Sequence, residues 1–83
     1  MKNGLEILDI GTKLWYVNDK LHRIDGPAIE YIDGRKCWFV NGIRHREDGP
    51  AVEQPDHKRW YLNGKGYDTQ EEFERLLRLK ALW

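Results

Sequence analysis

The chain has 83 residues, with 14 Lys and Arg against 14 Asp and Glu and a formal net charge of zero. That balance disfavours a nucleic-acid groove, which needs a basic excess, and disfavours an acidic DNA mimic by the same count. A single cysteine, Cys37, cannot close an intramolecular disulfide, and no apolar run approaches the ~20 residues of a membrane span, so a cytoplasmic protein without membrane contact is expected.

The first segment, residues 1–12, carries Leu5, Ile7, Leu8 and Ile10 and is expected to form a starting strand or edge cover. From there the chain repeats itself. Residues 15–30 align without gaps on 38–53, with ten of sixteen positions identical, and Trp60-Tyr-Leu-Asn-Gly64 restarts the unit and breaks off. The tryptophans at 15, 38 and 60 are 23 and 22 residues apart, a period typical of stacked units. One domain is expected, divided into repeat 1 (13–37), repeat 2 (38–59), a truncated capping repeat (60–68) and a C-terminal helix (69–83).

Within each unit the turns are the clearest signals. Asn18-Asp19, Asn41-Gly42 and Asn63-Gly64 follow Trp-aromatic-aliphatic triplets, and such pairs favour a type I′ hairpin turn because both central residues need positive φ. Asp33-Gly34 is expected to be a second turn of the same kind, with Pro55-Asp56 as its counterpart. Strands are expected at 13–17, 36–40 and 58–62, which are short, aromatic and β-branched, with returns at 28–32 and 51–54. Asp25-Gly-Pro27 and Asp48-Gly-Pro50 read as kinks, because proline lacks the donor a central ladder position requires.

Alternation places Trp15, Trp38 and Trp60 on one face and Tyr16, Phe39 and Tyr61 on the other. At the C-terminus, Thr69-Gln-Glu-Glu72 is a capping box, and Phe73, Leu76, Leu77 and Lys80 form a stripe that Leu79, Leu82 and Trp83 widen. That end either folds back onto the sheet or meets a partner, a homodimer through the helix included. The fold class is therefore mainly β: an antiparallel meander of repeated hairpins with one C-terminal α-helix.

The His-Arg-x-Asp tetrads, His22-Arg23-x-Asp25 and His45-Arg46-x-Asp48, are the candidate binding residues. Two such sets on one surface could clasp a phosphate or carboxylate, with arginine as a bidentate donor. The favoured reading is that they build the bend, with aspartate accepting backbone N–H groups and arginine pairing with it, which also explains why the tetrad repeats. Equivalent residues of successive hairpins lie about 9–10 Å apart, too far for His22 and His45 to share a zinc ion. The chain has no serine, and its threonines are Thr12 and the helix cap Thr69. Cys37 reads as a small buried apolar residue. Gly64-Lys65 lacks the spacing of a phosphate loop. No enzyme, no metal and no cofactor are expected.

The string Trp-Tyr/Phe-x-Asn-Gly-x-x-His-Arg-x-Asp-Gly-Pro-Ala resembles a short repeat of small phage and bacterial proteins related to MORN-like hairpin repeats. The resemblance covers residues 13 to about 75. It departs at Asn18-Asp19, where aspartate replaces glycine, and in the third unit, where Gly66-Tyr-Asp68 replaces His-Arg, as a terminal cap would. It implies a β-meander repeat sheet and a phage or mobile-element origin. The expected function is a small non-enzymatic protein that binds and inhibits a host protein, such as a defence component, in the manner of an anti-CRISPR. Its surface would be the row Tyr16, Phe39 and Tyr61 or the end Leu79, Leu82 and Trp83, aromatic and basic residues being usual interface anchors. Two alternatives are a binder or hydrolase of an anionic small molecule such as a nucleotide, through the tetrads, and a structural module that self-assembles.

Overall fold

The computed structural model of the chain describes residues 1–81, with side chains through Leu79. Ten short strands precede one helix: β1 (Gly4–Ile7), β2 (Lys13–Val17), β3 (Lys20–Leu21), β4 (Ile29–Glu30), β5 (Lys36–Cys37), β6 (Phe39–Val40), β7 (Ile43–Arg44), β8 (Val52–Gln54), β9 (His57–Leu62), β10 (Lys65–Tyr67) and α1 (Gln70–Ala81). The main antiparallel sheet runs β1-β2-β4-β5-β8-β9-β10, with β3 also paired to β2; β6 and β7 form a separate pair. The body is a slab of 42 × 30 × 17 Å.

Asparagine drives the hairpins. Asn18 and Asp19 take φ of 51° and 66°, and Asn41 and Asn63 take 52° and 49° before Gly42 and Gly64 at 80° and 87°. Positive φ at both turn residues matches the right-handed twist of the flanking strands. The Asp33-Gly34 turn is different from the expected type. Only Gly34 has positive φ there, and Gly34 N–H donates to Tyr31 O (3.1 Å) while Tyr31 N–H donates to Arg35 O (2.9 Å). This is a three-residue loop, a type I turn closed by a left-handed glycine.

Register separates the two faces. On one, Lys13, Glu30, Lys36, Glu53 and Lys58 stand directly opposite one another across five strands, alternating in sign at every step. Each such opposite-charge pair contributes roughly 0.2–1 kcal/mol. Two residues further along their strands, and so on the same face, come Trp15, Trp38 and Trp60. On the other face Leu14, Ile29, Cys37, Val52 and Arg59 are cross-strand neighbours. The core lies there: Ile29, Cys37 and Val52, with Leu14, Leu21, Tyr31, Phe39 and Tyr61 packed against them.

Two strand expectations need correction. The segment 36–40 is interrupted at Trp38, and the return 28–32 shortens to Ile29–Glu30. The return ends early because the Tyr31–Arg35 loop takes its last residues, and the break at Trp38 follows from a change of partner. Residues 36–37 pair with return strands β4 and β8, whereas beyond Trp38 the chain meets the hairpin arms. There Arg23 N–H donates to Phe39 O (3.1 Å) and Gly42 N–H to Leu21 O (2.8 Å), so each hairpin leans on the next.

The helix starts where the capping signal placed it. Glu72 N–H donates to Thr69 Oγ1 at 3.3 Å, and the Glu72 carboxylate meets the same hydroxyl at 3.3 Å. Phe73 is 2% exposed, and α1 packs on β9 and β10. Among the described residues no helix is long and apolar enough to cross a membrane.

Candidate functional site

Between each hairpin and its return strand the chain leaves the ladder as His-Arg-x-Asp-Gly-Pro and rejoins it at a buried alanine. Arg23 organises the first excursion. Its guanidinium lies 3.9 Å from the Trp15 ring centroid, and Nε donates to Asp25 (3.2 Å). Nη1 reaches both the Pro27 carbonyl and Glu30 at 3.2 Å. Arg46 repeats this: 3.8 Å from the Trp38 centroid, Nε to Asp48 at 2.9 Å, Nη1 to the Pro50 carbonyl at 3.0 Å and to Glu53 at 3.6 Å. The glycines explain themselves. A Cβ on Gly26 would meet Arg23 Cζ at 3.0 Å, and one on Gly49 would meet Arg46 Cζ at 2.9 Å. Ala28 and Ala51, where the chain rejoins the ladder, are both 0% exposed.

The histidines act between units. Asn41 N–H donates to His22 Nδ1 (2.9 Å), and Asn63 N–H donates to His45 Nδ1 (3.0 Å). Acceptance at Nδ1 places the ring proton on Nε2. Each histidine thus anchors the turn of the following unit, and the last unit, with no follower, has none. The first turn is anchored by a residue that sequence reading missed. Asn18 N–H donates to Asn3 Oδ1 (2.9 Å) and Asp19 N–H to Lys2 O (2.9 Å), while Lys2 N–H donates to the Asp19 carboxylate. Lys2-Asn3 therefore imitates Leu21-His22 as an N-terminal cap. Its only sequence signal was an amide acceptor lying upstream of the first asparagine turn. Replacing His45 by alanine should cost about 0.5–1.5 kcal/mol, the net worth of one hydrogen bond whose exposed donor water can then satisfy. A chemical-denaturation midpoint for His45→Ala no lower than wild type would contradict this anchoring.

The third unit has neither arginine clasp nor histidine. Arg59, on the core face, pairs with Asp68 at 3.1 Å, and its Nε is buried without a partner. The helix packs beside it.

Residues of both excursions line one open groove of about 720 Å³: Arg23 to Gly26 from the first and His45 to Asp48 from the second, together with Trp38 and Val40. Five of the six tetrad residues named from sequence therefore meet at one place, and His22 lies outside it. The proposed aromatic row is a different matter. Phe39 and Tyr61 are half-buried against the core cluster, so they do not form the open surface expected of them. Tyr16 is half-buried with the Lys2 ammonium 5.0 Å from its ring centroid. Leu79 is about half exposed, and Leu82 and Trp83 lie outside the described residues.

Cys37 sits in the core at 8% exposure, and burial pushes its thiol up from the ordinary range against the pull of Arg44 and Arg35. Since the thiolate is the reactive form, alkylation of native protein at neutral pH should be at least about tenfold slower than of free cysteine. Mass-spectrometric time courses would show equal rates if the thiol were accessible. Among the described residues no group of three His, Cys, Asp or Glu side chains converges as metal ligands. No family model, curated protein or solved structure matches this chain.

Proposed function

We propose that the chain is a small non-enzymatic binding protein that acts by occupying a surface of another protein. The observation that carries this reading is the internal use of the tetrads. Arg23 and Arg46 are each stacked on a tryptophan and bonded to an aspartate, a carbonyl and a glutamate, and both histidines accept a backbone donor through Nδ1. The groups that would have clasped an anion or activated a water already hold the fold. The remaining surface is broad and open, which suits a protein partner better than a small substrate needing enclosure.

The resemblance to phage and bacterial repeat proteins makes a host protein, such as a component of an anti-phage defence, the proposed partner, with inhibition by steric occupancy. The test is affinity capture of the tagged chain from a bacterial lysate, followed by reconstitution with the purified candidate. The reading expects a complex of fixed stoichiometry. Tight nucleotide binding that Arg23→Ala/Arg46→Ala abolishes in a still-folded protein would overturn it in favour of the anionic-ligand alternative.

A further inference from the structure

The sheet ends differently on its two sides. At one end β10 packs against α1, whereas at the other β1 pairs with β2 and with no further described strand. The direction of its spare backbone groups follows from β2. Trp15 N–H donates to Ala28 O (2.9 Å) and Trp15 O accepts from His22 N–H (3.0 Å), so Trp15 turns its polar groups away from β1. Leu14 and Tyr16 therefore turn theirs toward it, and their partners Glu6 and Gly4 face inward. The N–H and C=O groups of Leu5 and Ile7 point outward as an open ladder, on residues 51% and 59% exposed.

β1 reverses the pattern of the strands whose place it takes. Beside β5, β4 sets Ile29 against Cys37 on the core face and Glu30 against Lys36 in the charged row, and β8 sets Val52 and Glu53 against the same two residues. Beside β2, Glu6 meets Leu14 on the core face and Ile7 meets Lys13 in the charged row. A strand added to the free edge therefore needs a cation opposite Glu6 and apolar residues opposite Leu5 and Ile7. A further repeat unit brings the wrong pattern, since a strand like β2 would set leucine against Glu6 and lysine against Ile7. Two copies of β1 match no better: the antiparallel register that joins Leu5 to Ile7 sets Glu6 opposite Glu6, like charges face to face. Lys2 reaches Glu6 at 3.3 Å, but with side chains 56% and 39% exposed that pair holds the carboxylate only weakly.

We propose that the free edge of β1 takes an extended segment of the partner protein as an added strand, bonded to Leu5 and Ile7 and carrying an apolar-basic-apolar sequence across from Leu5, Glu6 and Ile7. This rests on the protein-binding reading above and names the chemistry of the partner. The test titrates the isotopically labelled full chain with a short peptide alternating valine and lysine, with its counterpart carrying glutamate for lysine, and with the valine-lysine peptide methylated on its backbone nitrogens. The first should shift the Leu5 and Ile7 amides, slow their hydrogen exchange and saturate below about 1 mM. The acidic peptide should bind at least tenfold more weakly, and so should the methylated one, which keeps its side chains but lacks ladder donors. Ile7→Lys should reduce affinity at least tenfold, with the amide spectra of β4 to β9 unchanged because β1 is bonded to β2 alone among the described strands. Silent Leu5 and Ile7 amides, equal binding of the acidic or methylated peptide, or an Ile7→Lys titration like wild type overturns the proposal. Concentration-dependent dimerisation of the free chain through the same amides overturns it in favour of a second copy. A stoichiometric protein partner indifferent to Ile7→Lys would sink the edge while leaving the protein-binding reading intact. Edge binding of the basic peptide with no protein partner recovered would do the reverse.

Discussion

Arg46→Ala is expected to lower the unfolding free energy by about 2–4 kcal/mol. The guanidinium is mostly buried on the Trp38 ring at 3.8 Å, where a desolvated cation–π contact contributes up to ~2 kcal/mol. Its bond to the Pro50 carbonyl at 3.0 Å is charge-assisted, a class that adds about 1.5–3 kcal/mol. The pair with Asp48 adds little, because that carboxylate is 87% exposed. Removing the side chain also takes one cation from Glu53, which keeps Lys36 and Lys58 as cross-strand neighbours. Lysine should not rescue the loss, since a point charge cannot stack on the ring and bond in two directions at once. Urea denaturation of Arg46→Ala, Arg46→Lys and Trp38→Phe, with the double variants, measures the coupling. Rescue by lysine to within a few tenths of a kcal/mol would refute the clasp.

Phe73→Ala is expected to cost about 3–5 kcal/mol, the usual range for a buried phenylalanine. Phe73 is 2% exposed and is the most buried of the described side chains of α1, which packs on β9 and β10. The remaining described apolar residues of the helix, Leu76, Leu77 and Leu79, are half-buried or exposed. Without its anchor a helix of 12 residues is too short to persist by itself in water. Helical ellipticity should therefore fall before the sheet unfolds, and amides of 70–79 should exchange faster than those of β5 and β8. A variant that keeps its helical signal up to the main transition would show that the anchor lies elsewhere.

Much of this architecture was legible from residues alone, for reasons that particular elements make plain. Asn18, Asn41 and Asn63 announced hairpins because positive φ is a local requirement that few residue types meet. Thr69 and Glu72 announced the helix start because capping is also local. Strand β2 was read to the residue. The Asp33-Gly34 turn was misread because a dipeptide does not reveal how many residues the loop will hold. Trp38 looked like the middle of a strand because the sequence does not show which neighbours its two halves will meet.

For the candidate site, the tetrads were found but their use was left open. His-Arg-x-Asp is compatible with a ligand clasp and with a structural one, and only spatial neighbours distinguish them. The stack on tryptophan, the carbonyl within reach of Nη1 and the next unit's amide at Nδ1 all lie outside the tetrad itself. The same limit hid Asn3. Its partner is 15 residues away and belongs to no shared motif. Phe39 and Tyr61 were placed on the correct face but expected in the open, because alternation assigns a side and says nothing of what covers it.

By itself, then, the sequence determined the fold class, the opposed aromatic faces and the capped helix. These rest on interactions within a few residues, or on periodicity, which a linear string displays directly. The tertiary structure decided which polar groups the fold itself uses. It turned the arginines and histidines into fasteners. Such matters depend on distances between segments some twenty residues apart, and those distances exist only once the hairpins have stacked.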